Sequence, residues 1–560
     1  MAKKNPPREA QRLRVIPLGG LDGIGKNMTV FEFGGEMLLV DAGIMFPDDD
    51  TPGVDLILPD YAYVVKNRER LRGIVITHGH EDHTGALPYL LKELDVPVPI
   101  LGTQLTLGLV KGKLDEHGIK KPKLREVKGG SHVSLGVFGL DFFAVNHSIP
   151  DGVGVFIRTP VATVLHTGDF KLDQTPIDGR LTDYGALARF GKSGVTLLMS
   201  DSTGAESKGF CRSESEVGAA LRSITASAAQ RVIVASFASH IHRLQQVCDA
   251  AVASGRKVVV TGRSMVQNTK IARDLGYLTI DDDNILDAFD SNGLPPEKVV
   301  VLCTGSQGEP LSALARMANG DHRTVAVERG DTVIISASPV PGNEKAVSRV
   351  INRLTKAGAH VVHRGTADVH VSGHASAEEL KLMLNLTQPE FFAPIHGETR
   401  HLAAHARLAH SVGIPEDAVF ILDNGDVLEI DEEEARVGER VESGVVYVDG
   451  TSVGDLGQVI LRDRQHMSQD GIATIVIVID SRTGKVTAEP ELVTRGIVVP
   501  EGGDIAEEAR ARVAKTLAKT GREGVTDHAV VKRAVRESLS QFFWERTRRR
   551  PMIIPVVMEV

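Results

Sequence analysis

Residues 73–88, GIVITHGHEDHTGALP, concentrate the chemistry of this chain. A short apolar run ends in His78, His80, Asp82 and His83, so four potential metal ligands fall within six residues, far more than a solvated loop needs. The even spacing of 78, 80 and 82 turns those three side chains towards one side of an extended segment, and His83 falls at a different angle. That offset suits two neighbouring cations better than one. Neutral imidazole and carboxylate suit zinc or manganese, and no cysteine lies nearby to favour a thiolate site. The plainer alternative is a histidine-rich loop that caps the next helix or binds metal adventitiously.

Four later apolar runs also end in a polar residue able to bind metal: FFAVNH at His147, VATVLHTGD at Asp169, TLLMSD at Asp201 and FFAPIH at His396. Each is short enough to be a strand and delivers its ligand at the strand's C-terminal end. With GIVITH, five such endings predict one rim of a sheet or sandwich where side chains converge. The segment LGGLDGIGKN nearly matches a phosphate-binding loop, but Asn27 stands where the magnesium-holding hydroxyl belongs. The following MTVFEF alternates at period two, so no helix N-terminus opens there, and the glycines read as tight turns between strands.

A length of 560 residues predicts roughly three or four domains. The 42% hydrophobic and 24% charged composition is that of a soluble globular protein. No apolar stretch approaches a membrane span, and the first dozen residues lack the apolar core of a secretion signal. Cys211, Cys248 and Cys303 are scattered, as in a reduced cytoplasm, and cytoplasmic location is expected. A net charge of −9 argues against coating nucleic acid with the whole surface but allows a local basic groove. Strand after strand runs from Leu13. Between Ser207 and about Gly365, continuous apolar runs such as RVIVASFA and KVVVTG alternate with helical stretches, the pattern of βαβ units on a parallel sheet. Ligand-bearing strand ends lie on both sides of this block, which predicts an inserted domain. The expected divisions are a flexible tail over 1–12, a first domain over 13–206 resuming at 365–430, an inserted domain over 207–364, a linker over 431–444 and a small α+β domain over 445–560.

The motif HGHEDH at 78–83, with His147, Asp169 and His396 on later strand ends, resembles the metallo-β-lactamase fold. SDST from Ser200, HVSGHAS at 370–376 and PIHG around His396 resemble the β-CASP nucleases within it. With the terminal domain, the whole chain after the tail resembles the bacterial ribonuclease J family. PLGGLDGIGKN, VNHSIPD, HTGDFK, ASFASHIHR, GRSM, CTGSQGEP and RRRPMIIPVVMEV also fit, and Asp22-Gly23 differs where Gly-Glu is common. The resemblance implies an αββα metallo-β-lactamase sandwich with an inserted β-CASP parallel α/β domain and a small C-terminal α+β domain. It implies two divalent metal ions, zinc and/or manganese: His78, His80 and His147 on one, Asp82, His83 and His396 on the other, Asp169 bridging. It also implies single-stranded RNA as substrate, 5′→3′ exonuclease action favouring 5′-monophosphate ends together with endonuclease action, and a place in mRNA decay and rRNA maturation. Homodimers or homotetramers, and partners in an RNA-degradation complex, are implied too, with no membrane.

Two cations a few ångströms apart generate hydroxide at neutral pH and neutralise phosphoryl charge, which phosphodiester hydrolysis needs. Asp82, beyond its ligand role, is expected to orient the nucleophile or accept its proton. His374 is expected to stabilise the transition state or protonate the leaving oxygen. Asp201 is expected to hydrogen-bond a ligating histidine rather than bind metal. Ser372, Gly373, His374, Ala375 and Ser376, preceded by His370, offer small residues and successive amides for a terminal phosphate. In the inserted domain Phe237 is a candidate for base stacking, and Ser239, His242 and Arg243 for phosphate contact, with Arg263 and the GSQGEP loop at 305–310 as further channel candidates. Arg546, Arg548, Arg549 and Arg550 read as a helix end or subunit contact, and His401, His405 and His410 as surface or packing residues. The competing readings are hydrolysis of a small ester or lactone, a catalytically inactive RNA-binding scaffold, and DNA hydrolysis.

Overall fold

The computed structural model describes residues 12–48, 50–288, 293–340, 342–454, 457–480, 485–498, 505–522 and 527–560; the expected tail over 1–12 lies outside them apart from Arg12. The chain divides into two compact units, Met1–Phe46 with Leu56–Val446, and Pro47–Asp55 with Tyr447–Val560.

In the larger unit, Leu13–Gly19, Met28–Phe33 and Glu36–Val40 form an antiparallel meander, to which Leu71–Val75, Pro99–Gly102 and Lys123–Glu126 add in parallel. Leu428–Ile430 and Ala435–Val437 complete the other edge of this eight-stranded sheet. Ala435–Val437 falls where a linker was expected, because its backbone pairs with Leu428–Ile430. A second sheet has the order Phe391–Ile395, Leu197–Asp201, Thr163–His166, Val153–Arg158, Phe138–Ala144, His132–Leu135. Phe31, Leu38 and Val75 of the first sheet and Phe142, Val155 and Met199 of the second share one buried cluster. Alternation sends Phe143, Phe156 and Phe392 to the opposite face, against helices Tyr184–Ser193, Ala377–Thr387 and Thr399–Ser411. Helix Gln104–Glu116 packs on the first sheet at Pro99–Gly102. The result is an αββα sandwich.

Leu197–Asp201 and Phe391–Ile395 are parallel neighbours, Asp201 opposite Ile395, although a further domain lies between them in sequence. That domain is a six-stranded sheet, Ile285–Asp287, Lys257–Thr261, Val299–Cys303, Val232–Ala235, Thr332–Ile335, His360–His363, parallel throughout. Val232 and Val234 enter one core cluster and Ile233 and Ala235 the other, so both faces are buried and the strands read as unbroken apolar runs.

In the smaller unit, Ile472–Ile479 is flanked by Glu491–Arg495 and Met552–Glu559, and helices Ile505–Arg522 and His528–Thr547 cover one face through Val513, Leu539 and Phe543. The strand expected over GIVVP instead precedes it, and residues 499–500 lie outside the described residues. Arg546 pairs with Glu508, Arg549 with Asp470, and Arg548 and Arg550 lie over the Trp544 ring. All three cysteines are free, and no described helix is long and apolar enough to cross a membrane.

Candidate metal centre

The strand ends meet at one rim of the sandwich. His78 follows Leu71–Val75, His147 follows Phe138–Ala144, Asp169 follows Thr163–His166, Asp201 closes its own strand and His396 follows Phe391–Ile395. His80 lies on extended backbone, but Asp82 and His83 sit in a one-turn helix, Glu81–Thr84, whose N-cap is His80. Period-two alternation therefore ends at His80, and the helical turn carries the last two ligands inward. The segment 41–44 clamps this turn: Ala42 N–H donates to His83 O (2.8 Å) and Ile44 N–H to Glu81 O (3.0 Å). Gly43 lies so close that a Cβ there would stand 1.5 Å from Asp82 O.

Three donor sets result among the described residues. His78, His80 and His147 form one, Asp82, His83, Asp169 and His396 a second, and Asp169, Asp201, His374 and His396 a third that overlaps the second, with the donor atoms within 4.8 Å of one another in each. His80 Nδ1 is 3.0 Å from His78 Nε2 and 3.1 Å from His147 Nε2. Asp169 Oδ2 is 3.2 Å from His83 Nε2, 3.3 Å from His396 Nε2, and 3.8 Å from both His78 Nε2 and His147 Nε2. A tetrahedron with bonds of about 2.0–2.1 Å places its corners roughly 3.3 Å apart, so these sets fit divalent cations. His396 Nε2 is buried and has no hydrogen-bond partner, as a lone pair reserved for a metal would be.

The remote ring nitrogens are held. His147 Nδ1–H donates to Gly373 O (2.7 Å), His83 Nδ1–H to Asp41 Oδ2 (2.8 Å) and His396 Nδ1–H to Asn27 Oδ1 (2.9 Å). His78 Nδ1 meets Thr77 Oγ1 at 3.1 Å, and His80 Nε2 meets Ser148 Oγ at 3.4 Å. Such partners set the tautomer and leave the opposite nitrogen for a cation. Burial holds His78 and His147 well below the ordinary imidazole pKa and His80 at about 4. Burial pulls His83 and His396 the same way, but Asp169 outweighs it and raises both. Burial opposes ionisation of Asp169, yet His396 and His83 keep it well below the usual carboxylate range.

Sequence reasoning missed Asn27, Asp41, Thr77 and Ser148. Asp41 follows the strand Glu36–Val40, so the strand-end rule that found Asp169 applies to it as well. It accepts hydrogen bonds from Thr77 N–H and Thr77 Oγ1–H as well as from His83. Asn27 carries no such signal. Its Nδ2 donates to Asp82 O at 3.1 Å, so its oxygen must face His396. Asn27→Ala should weaken metal retention roughly 10- to 100-fold, read by chelator competition. Unchanged retention would remove Asn27 from this role.

His374 and Asp201 make up the third set with Asp169 and His396. His374 Nδ1–H donates to Asp201 Oδ2 (2.8 Å), and Nδ1 lies 4.0 Å from Asp169. The partner expected for Asp201 was a ligating histidine; the histidine it meets is His374. Burial alone would lower His374, but Asp201 and then Asp169 push it up to about 9. The Ser372–Ser376 turn also departs from expectation. Three of its amides are used internally: His374 N–H to Ser372 Oγ, Ala375 N–H to Phe170 O and Ser376 N–H to Glu379. The Ser372 and Gly373 amides have no partner among the described residues. His370 is half-buried, its Nδ1 unpartnered.

The inserted-domain candidates separate. Phe237 and Ser239 are half-buried in the loop after Val232–Ala235, and His242 Nε2 stands 3.5 Å from Asp178. Arg263 is exposed at the start of a helix. Arg243 is not a phosphate contact: it is 0% exposed, ion-paired with Glu214 (2.6 Å) and bonded to Ser336 and to Val369 O. It is buried because two helix starts and two strand-end loops converge around it and supply only acceptors. Arg243→Ala should destabilise the fold by about 3–5 kcal/mol, since Glu214 is then left buried and unpaired. Denaturant unfolding checks this; parental stability with weakened RNA binding would reverse the assignment. His401 and His405 are buried, His405 against Ser202 and Phe392, while His410 is exposed.

A sandwich with an inserted parallel domain, carrying histidines and aspartates at its rim, defines a metallo-β-lactamase-fold hydrolase. Residues 21–205 match the model of the metallo-beta-lactamase superfamily, 229–354 that of the ribonuclease J beta-CASP domain, 358–419 that of the Zn-dependent metallo-hydrolase RNA specificity domain, and 459–560 that of the ribonuclease J C-terminal domain. Ribonuclease J of Mycolicibacterium smegmatis is 45% identical, with 99% of each chain covered. Ribonuclease J2 of Bacillus subtilis is 40% identical over 100% of both chains, and ribonuclease J of Thermus thermophilus 45% identical over 98% of this chain and 95% of its own. The chain belongs to the ribonuclease J family. A crystal structure of a protein of unknown function from Enterococcus faecalis V583 shares the fold, with a TM-score of 0.53 at 14% identity, covering 75% of this chain and 100% of that one.

Proposed function

We propose that this chain, a metal-dependent ribonuclease by family, degrades single-stranded RNA 5′→3′ from 5′-monophosphate ends and also cuts internally, in mRNA decay and rRNA maturation. The observation that carries the reading is Asp169 Oδ2, which has five imidazole nitrogens within 4.0 Å. His78, His80 and His147 would hold one divalent cation, zinc and/or manganese, and Asp82, His83 and His396 the second, with Asp169 shared. When bound, these ions supply an activated water and neutralise phosphoryl charge.

The chain's own groups do the rest. Asp82 stands 3.5 Å from His83 Nε2 and 3.7 Å from His396 Nε2, where it also orients the attacking water. His374, with Nδ1 held by Asp201, carries on Nε2 the proton for the departing 3′ oxygen as the P–O3′ bond breaks. Ser372, through its hydroxyl and amide, and the Gly373 amide receive the terminal 5′-phosphate, with His370, Ala375 and Ser376 shaping the turn behind them. Phe237, Ser239 and His242 line the strand's path across the inserted domain. The working form is a homodimer or homotetramer in the cytoplasm, joined by partners in RNA degradation; light scattering tests the assembly.

One RNA bearing a 5′-monophosphate, 5′-triphosphate or 5′-hydroxyl tests the reading, with and without added manganese. Fast stepwise release from the monophosphate and slower internal cleavage of the other two are expected. Equal rates on all three ends would reject the phosphate turn. Turnover of a lactone with none of RNA would replace the substrate class.

A further inference from the structure

Residues 204–211 run alongside the segment that bears Ser372, Gly373 and His374. Ala377 N–H donates to Ser207 O (2.9 Å) and Glu378 N–H to Gly209 O (3.1 Å). Cys211 N–H donates to Glu379 Oε2 (2.6 Å) and the Cys211 thiol to Ser372 O (3.1 Å). Gly204 approaches so closely that a Cβ there would meet Ala375 O at 2.2 Å. Phe210 therefore has a pinned residue on each side, one of them bonded directly to the turn.

Phe210 is nevertheless 62% exposed. Among the described phenylalanines only Phe46 and Phe210 are exposed; the others pack into cores or lie half-buried. A lone exposed apolar side chain on a loose loop needs no explanation. A phenyl ring held in water by a backbone fastened at positions 209 and 211 does, because ordering it brings no burial. Lys208 stands two residues earlier, exposed and without a carboxylate partner among the described residues. Arg212, on the other side, is neutralised by Glu216 and Asp368. An aromatic face beside a free cation is how single-stranded nucleic acid is gripped without sequence preference, since every base offers a π-face.

We propose that Phe210 is the stacking platform for the first nucleobase of the substrate, the nucleotide whose 5′-phosphate lies at Ser372 and Gly373. This rests on the reading of that turn under Proposed function. Stacking there would align the first phosphodiester with the metal centre whatever the base, as stepwise degradation requires.

The test compares wild type, Phe210→Ala and Phe210→Trp on RNA whose first nucleotide is either intact or abasic, each with a 5′-monophosphate or a 5′-hydroxyl. On intact RNA, Phe210→Ala should raise KM roughly tenfold to a hundredfold, the size of one base–aromatic stack, and Phe210→Trp should restore it. On abasic RNA the three proteins should share one KM. An unchanged KM for Phe210→Ala on intact RNA would overturn the proposal, as would an equal rise on abasic RNA or a change in assembly size that accounts for the loss. Wild type that ignores the 5′ group, with the base-dependent effect of Phe210→Ala intact, would refute the phosphate turn alone. Wild type that cleaves none of these RNAs would refute the ribonuclease reading and this proposal together.

Discussion

Asp169→Asn is expected to lose most of the bound metal and at least about 10³-fold in kcat/KM, because bound cations supply several kcal/mol to the transition state and each 1.4 kcal/mol is a factor of about ten. The substitution keeps the shape of the side chain and removes only its charge. That charge faces His83 and His396 at 3.2 and 3.3 Å and His78 and His147 at 3.8 Å, so no other group in the centre is shared so widely. Without it, two dications held in the adjoining sets would repel with no shared carboxylate to compensate. Elemental analysis after dialysis should fall from about two ions per chain to one or fewer, the His78, His80, His147 set, which does not use Asp169, retaining the remaining one. An Asp169→Asn protein with full metal content and near-parental turnover would dismantle the two-cation reading.

His374→Ala should give a different signature. In the proposed role its ring would carry a proton between Asp201, 2.8 Å from Nδ1, and the reacting phosphate; it shares a donor set with Asp169, Asp201 and His396 and stands outside the His78, His80, His147 set. Loss of a general acid costs roughly 10²–10⁴-fold in kcat. Metal content should stay at the parental level, and binding of a non-cleavable 5′-phosphorylated RNA should change little. Loss of metal on this substitution would make His374 a ligand and move the acid elsewhere. Asp201→Asn is the companion variant. It leaves the ring in place but removes the carboxylate that raises its pKa, so it should lower kcat less than His374→Ala does.

Much of this site is local chemistry, and local chemistry is legible in a one-dimensional string. A strand of the right length with a ligand at its C-terminal end is a signal contained within about six residues, and His78, His147, Asp169, Asp201 and His396 each carry it. The unbroken apolar strands of the inserted sheet are equally local, because burial on both faces selects the same residue types at every position. Asp41, directly after the strand Glu36–Val40, obeys the same strand-end rule.

Other features have no local trace. Asn27 meets His396 across 369 residues, so nothing near either position announces the pairing. Arg243 looks like a phosphate ligand in a loop rich in serine and histidine, and only the packing of Glu214, Ser336 and Val369 around it makes it a buried ion pair. The amides of the 372–376 turn are interchangeable on paper, but Phe170 O and Glu379 occupy two of them. Residue types and their short-range spacing thus determined which side chains can bind metal and which segments pair as strands, since those properties belong to each residue and its immediate neighbours. Tertiary structure alone decided which nitrogen of each imidazole is free, which amides remain for a phosphate and which cations meet solvent, since hydrogen-bond occupancy and burial depend on groups hundreds of residues apart in the chain.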